Sequence, residues 1–251
     1  MGAEVVVEQF TRQAASFTRL PSHEESTGLL LDMAGIGAGS EVLDVACGPG
    51  MVACAAAKRA GRVLGIDLTP AMIDQAMLLQ AKLGLRNLAW RIGEAAALPF
   101  ESGRFDAVVT RYSAHHFPDP DLVFAEMVRV AKPGARVTIA DMVLPGNNAA
   151  AYDRMERLRD PSHVRTLSRE ELGDFAVAAG LRELRWADYH FAVDVERLMR
   201  ASFPEPGDAE RVRSMLEADA GIDAMGLGLH RSGGAILLSY PVAIVSGVTA
   251  A

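Results

Sequence analysis

The stretch that most constrains this chain is Glu41-Val-Leu-Asp-Val-Ala-Cys-Gly-Pro-Gly50. Val42, Leu43 and Val45 make a short apolar strand, Gly48 and Gly50 make a turn, and the small residues from Met51 to Ala60 read as a helix that Gly61 ends. Glycine lets a backbone approach a ligand closely, and the first turn of a helix leaves N–H groups without partners. In an open parallel sheet such a turn lies at the carboxyl end of a strand, where ligands collect. A strand-to-helix turn is also an ordinary connection, so the neighbouring residues decide its meaning.

Two acids carry that decision. Asp44 stands at the end of the strand, four residues before Gly48, and Asp67 ends the next apolar strand, Arg62-Val-Leu-Gly-Ile-Asp67. An acid at the end of a second strand can accept two hydrogen bonds from a ribose diol. A dinucleotide turn would read G-x-G-x-x-G, with its pyrophosphate at the helix N-terminus. Here Ala46 replaces the first glycine, and no glycine stands three residues after Gly48 or Gly50. An anionic Asp44 would repel a pyrophosphate and suit a cationic amine or sulfonium.

With these residues the sequence resembles the class I S-adenosylmethionine-dependent methyltransferases, and within them the ubiquinone- and menaquinone-biosynthesis-type branch. Val42 to Gly50 is similar to the family's first motif, with Ala46 where glycine is more usual. Gly65-Ile-Asp-Leu-Thr-Pro-Ala-Met72 is similar to its ribose strand, and Gly93-Glu-Ala-Ala-Ala-Leu-Pro-Phe100 to its adenine loop. Phe105 to Phe117 is similar to its fourth strand and following loop, and Glu126 to Gly134 to the helix before strand five. The likeness covers about residues 8–145. It implies S-adenosylmethionine as cofactor and S-adenosylhomocysteine as product. It implies cofactor contacts from Phe17, Asp44, Ala46, Gly48, Gly50, Asp67, Leu68, Met72, Gly93, Glu94, Ala95 and Arg111.

The expected fold is α/β: a Rossmann-like, seven-stranded, mostly parallel sheet with helices on both faces and an N-terminal helical cap. Strands are expected at 41–45, 62–66, 88–92, 105–110, 135–140, 183–191 and 235–245, as apolar and often β-branched runs between turn residues. The resemblance makes the last of these antiparallel and internal. Pro241 fits an internal strand badly, so a bulge or strand end is expected there. Thr69, Pro70 and Gly84 bracket a helix over 70–83, and helix 120–131 is expected to bury Leu122, Ala125 and Val128 or near neighbours and to end at Pro133-Gly134. Ser168-Arg-Glu-Glu171 reads as a capping box. The expected organisation is one S-adenosylmethionine-binding methyltransferase domain over 1–251, with a cap at 1–38 and a helical insertion at about 192–232.

Methyl transfer from a sulfonium needs near-attack geometry and exclusion of water, and a base where the acceptor carries a proton. The loop after strand four holds Tyr112, His115 and His116 where such a base belongs. His115 is favoured narrowly, since His116 abuts Phe117 and looks like a loop anchor. His163 is a further candidate. Asp141 alone makes a poor Mg²⁺ site, so no metal is expected. Arg154, Arg157, Arg159 and Arg165 could grip an anion, but the interleaved Asp153, Glu156 and Asp160 read as a solvated helix with internal ion pairs. Phe17 and residues 151–167 are expected to form a lid.

The expected acceptor is a small molecule, methylated at O, C or N. Two alternatives stay open: a non-methylating cyclisation or isomerisation that uses the same cofactor, and an NAD(P)-dependent oxidoreductase. The net charge of −7 argues against a nucleic-acid surface. Residues 235–248 are apolar but interrupted by Ser239, Tyr240, Pro241 and Gly247, so no membrane insertion is expected. Cys47 and Cys54, without histidine partners at zinc spacing, suggest a reducing cytoplasm rather than a disulfide framework. A monomer or homodimer is expected.

Overall fold

The computed structural model describes residues 3–17 and 24–250. Helices α1 (Ala3–Phe17) and α2 (Glu24–Met33) precede five strand-led units. These run β1 (Glu41–Val45), α3 (Met51–Ala57), β2 (Arg62–Asp67), α4 (Pro70–Leu83), β3 (Leu88–Ile92), β4 (Phe105–Arg111), α5 (Pro120–Val130) and β5 (Ala131–Met142). Then come α6 (Gly146–Arg159), α7 (Arg169–Ala178), β6 (Arg182–Asp194), α8 (Val195–Ala201), α9 (Asp208–Asp219), β7 (His230–Ser232) and β8 (Ala235–Val248). The sheet order is β3-β2-β1-β4-β5-β8-β6, with β7 on β8. The strands from β1 to β5 pair in parallel, and β8 is antiparallel to both β5 and β6. This is the Rossmann-like sheet the sequence led us to expect. It carries one addition, the three-residue β7, which has no apolar run to announce it.

Apolar side chains fill both faces. Leu43, Phe105, Phe124 and Met127 lie in one cluster with α5 and α7, and Val42, Ala53, Val63 and Leu30 lie in the other with α2 and α3. A third cluster joins α6 to α8 and α9 through Tyr152, Met155, Leu198 and Leu216. Residues 151–167 are therefore built into the body of the protein. None of them borders the main cleft.

One local expectation is narrowed and two are corrected. Helix α5 buries Val123, Phe124, Met127 and Val130 and leaves Leu122 half exposed, at 53%. Its cap explains the phase: the Asp119 side chain accepts the Leu122 N–H and Pro120 takes the first turn, which turns the bulkier residues inward. The helix also ends at Val130, before Pro133-Gly134, because Ala131 already pairs with Phe105. Pro241 sits inside β8 with no register shift there, opposite His190. Its carbonyl accepts the Val143 N–H, so its nitrogen also faces β5, where regular pairing stops at Met142 and Val242. The missing N–H is thus lost where the ladder ends.

Gly65 is a steric requirement of the same sheet. A Cβ there would lie 2.4 Å from Trp90, whose indole N–H is held by Gln80 at 2.6 Å. Gly65→Ala is expected to cost about 1–3 kcal/mol through overpacking. The check is the thermal midpoint, and an unchanged midpoint would mean that Trp90 swings aside freely.

Candidate functional site

Strand order reverses between β1 and β4, so the loops after these two strands diverge and open a crevice at their carboxyl ends. A cavity of about 320 Å³ occupies this place. Its floor is the turn after β1. Ala46 takes φ 53, a left-handed conformation that glycine adopts without strain. Alanine in this position costs about 1–2 kcal/mol, held here by the surrounding turn. Gly48 also has positive φ, and its N–H donates to Asp67 Oδ2 at 2.8 Å. Gly50 does not border the cavity: a Cβ there would meet Trp90 at 2.6 Å, so this glycine shapes the turn.

Asp67 closes one side. Its Oδ1 accepts the Thr69 N–H at 2.9 Å, which leaves each carboxylate oxygen with a further lone pair for the cavity. Burial raises its pKa, and the hydrogen bonds from Thr69 and Gly48 oppose this. Leu68, Met72, Gly93, Glu94 and Ala95 border the cavity beside it. Asp44 lies deeper. It is 1% exposed, and its Oδ2 has no hydrogen-bond partner. Burial pushes its pKa up to about 7, against the pull of Arg111 and the Ala53 N–H, while Asp67 adds to the rise. Arg111 also borders the cavity, and its Nη1 donates to Thr27 Oγ1 at 2.6 Å.

The far wall is the loop after β4. Tyr112 has φ 56, and its hydroxyl meets that of Tyr189 at 2.6 Å. Burial and the Tyr189 oxygen hold its phenol well above the ordinary range, so it stays protonated at neutral pH. His116 borders the cavity and His115 does not. His115 stands behind the wall. Its Nδ1 lies 2.6 Å from Asp141 Oδ1, and its carbonyl accepts the Val164 and Arg165 N–H groups. Burial would lower the His115 pKa, but Asp141 outweighs it and raises it, and Asp141 is lowered in return. The loop-anchor role expected of His116 thus falls to His115. His116 Nδ1 points to the Ser162 carbonyl at 3.0 Å, and since that oxygen only accepts, the proton sits on Nδ1. Burial, then His115, hold His116 down at about 4, so its ring is neutral at pH 7.

His163 is fully buried and gives its Nε2–H to Asp153 Oδ1 at 2.8 Å, away from the cavity. The segment read as a solvated helix is half inside the protein: one of its ion pairs is buried, while Arg154 and Arg157 stay exposed. Glu156 is 3% exposed and pairs with Arg159, which also donates to Ser202. Arg157 pairs with Asp153 and Arg165 with Glu171, so these cations are already engaged. The Phe17 side chain lies outside the described residues. Sequence reasoning missed Val6, Phe10, Thr69 and Phe117 as cavity walls. Phe10 was legible on the apolar stripe of α1, but periodicity does not separate a core face from a cavity face.

Residues 43–139 match the family described as "Methyltransferase domain". The chain is 34% identical over 149 residues to the uncharacterized methyltransferase YcgJ of Bacillus subtilis, covering 59% of each chain. It is 36% identical over 118 residues to the uncharacterized protein YafE of Escherichia coli, covering 46% of this chain and 57% of that one. The matched stretch therefore spans less than two thirds of these relatives. The solved structure of YcgJ superposes with a TM-score of 0.83 at 24% identity, over 91% of this chain and all of that one, a likeness of fold.

Proposed function

We propose, from the match of residues 43–139 to a methyltransferase domain, that this chain binds S-adenosylmethionine in the cleft and methylates a small-molecule acceptor at O, C or N. The observation that carries the reading is the Asp44 carboxylate, buried at the cleft with one oxygen unpartnered. A buried unpaired polar atom costs free energy unless a ligand meets it. A cation would meet it, and a pyrophosphate would not. Asp67 would hold the ribose diol, and the loop at Glu94 and Ala95 would take the adenine.

When bound, the cofactor supplies an electrophilic methyl group and leaves as S-adenosylhomocysteine. The chain's part is to orient the acceptor, exclude water and take its proton. His116 is the group for that last task. It borders the cleft, and with Nδ1 donating to Ser162 its Nε2 carries the free electron pair. Tyr112 and Phe10 narrow the space beside it.

Calorimetry with S-adenosylmethionine, S-adenosylhomocysteine and NAD⁺ tests the first step. Binding of the first two and not the third is expected, and the reverse would sink the reading. Turnover with an acceptor panel should release S-adenosylhomocysteine. Conversion of substrate without that release would favour cyclisation or isomerisation instead. In the same assay His116→Ala should lose rate while keeping S-adenosylhomocysteine affinity.

A further inference from the structure

Three segments distant in sequence meet behind His116. The loop after β4 brings His116, α1 brings Phe10 and Gln13, and the turn after α6 brings Asp160 and Ser162. Asp160 is 3% exposed and joins all three. Its Oδ1 accepts the Ser162 N–H at 2.9 Å and also the Ser162 hydroxyl. Its Oδ2 accepts the Gln13 amide at 2.9 Å. With its hydrogen committed to Asp160, the Ser162 oxygen turns a lone pair to His116 Nδ1 at 3.3 Å, beside the Ser162 carbonyl at 3.0 Å. Phe10, one helical turn from Gln13, sets its ring edge-on to His116 with centroids 5.0 Å apart.

We propose that Asp160 is a positioning residue for His116: through Ser162 it fixes the proton on Nδ1 and leaves Nε2 free toward the cleft, and through Gln13 it ties that state to the seating of α1. The proposal rests on the reading of His116 as the proton acceptor. A histidine base needs its second nitrogen held by an orienting partner, because free imidazole exchanges tautomers. Two acceptors on one residue both demand the proton at Nδ1, and Asp160 holds that residue by backbone and side chain at once. When His116 takes a proton at Nε2 it becomes cationic. Asp160 is the carboxylate that faces it, while His115 and His163 press the other way. Burial would raise the Asp160 pKa, but His116, Arg159 and the Ser162 and Gln13 hydrogen bonds hold it at about 2, so the carboxylate stays ionised across the working range.

Nitrogen-edited NMR of the imidazoles on the ligand-free chain reads this directly, apart from whether any cofactor binds. The wild-type chain should show His116 as a single Nδ1–H tautomer. Asp160→Asn, which can turn an N–H toward Ser162 and so release its backbone and hydroxyl, should admit the second tautomer, while Ser162→Ala, which keeps the carbonyl at Nδ1, should stay mainly Nδ1–H. Asp160→Asn should also move the His116 titration to lower pH, because a charge that favours the imidazolium is gone. The pair Asp160→Asn with Gln13→Glu exchanges amide and carboxylate across the same contact and should restore the single tautomer. A folded Asp160→Asn variant that keeps the wild-type tautomer and titration, with only a lower melting point, would make Asp160 structural and overturn the proposal. Calorimetry with S-adenosylhomocysteine on the wild-type chain is the separate check on the methyl-transfer reading.

Discussion

Asp67→Ala is expected to weaken S-adenosylmethionine binding about a hundredfold or more. On the proposed reading the carboxylate at the end of β2 accepts both ribose hydroxyls, and hydrogen bonds to a charged group contribute about 1.5–3 kcal/mol each. Two such bonds at the lower bound give about 3 kcal/mol, and each 1.4 kcal/mol is a factor of ten. A second loss adds to this. Asp67 also accepts the Gly48 and Thr69 N–H groups, so its removal loosens the glycine turn that floors the cleft. The two losses separate in Asp67→Asn, whose amide oxygen can keep one backbone contact but whose charge is gone. Calorimetry on both variants, with thermal melting as the control for folding, is the measurement. Wild-type affinity in the folded Asp67→Ala variant would remove Asp67 from the cofactor site.

The sheet was legible because its strands are short apolar runs between unambiguous turn residues. Alternation of strand and helix then leaves few topologies open. Where the reading slipped, the cause was local. On α5 three apolar residues in phase looked sufficient, yet Val123, Phe124 and Met127 are bulkier and won the core. At Pro241 the general cost of proline in a strand was read without knowing where β5 stops. A sequence gives the cost of a residue type and not the ladder position that decides whether the cost is incurred.

The cleft was legible on the side built from one motif. Asp44, Ala46, Gly48 and Asp67 are close in sequence or sit at equivalent strand ends, and they border one cavity. The other side is assembled from α1 and the loop after β4, with the turn after α6 standing behind them. Its contacts span large separations, such as Gln13 with Asp160 and His116 with Ser162. No spacing rule announces such pairs. That is why two adjacent histidines looked interchangeable before the fold set one behind the wall and one along it. It is also why charges on α6 looked solvated: a helix with many acids and arginines reads as a surface until its partners on other elements are known.

S-adenosylmethionine affinity is expected to rise with pH from 5 to about 7 and then level, by up to about a hundredfold. Asp44 sets this window. Burial pushes its carboxyl up to about 7, so below that pH the free protein holds it protonated and neutral. A cationic ligand gains from the ionised form. If only that form binds, each pH unit below the pKa costs a factor of ten. Two units, from 7 to 5, give the hundredfold limit. The groups that face Asp44 fix the sign. Arg111 and the Ala53 N–H favour its ionisation, and burial and Asp67 oppose it. The Cys47 thiol beside it is pushed up by burial and stays neutral across the window. Asp67 is also raised and could add to the slope, so Asp44→Asn is the deciding variant. It should bind more weakly at pH 8 than wild type and lose most of the pH dependence, while any slope from Asp67 survives. Calorimetry at pH 6 in buffers of different ionisation enthalpy should also show a proton released on binding, as the cation draws the Asp44 pKa down. A flat wild-type affinity from pH 5 to 8 would mean that the unpartnered Asp44 oxygen does not meet the cation. The charge recognition would then have to come from elsewhere in the cleft.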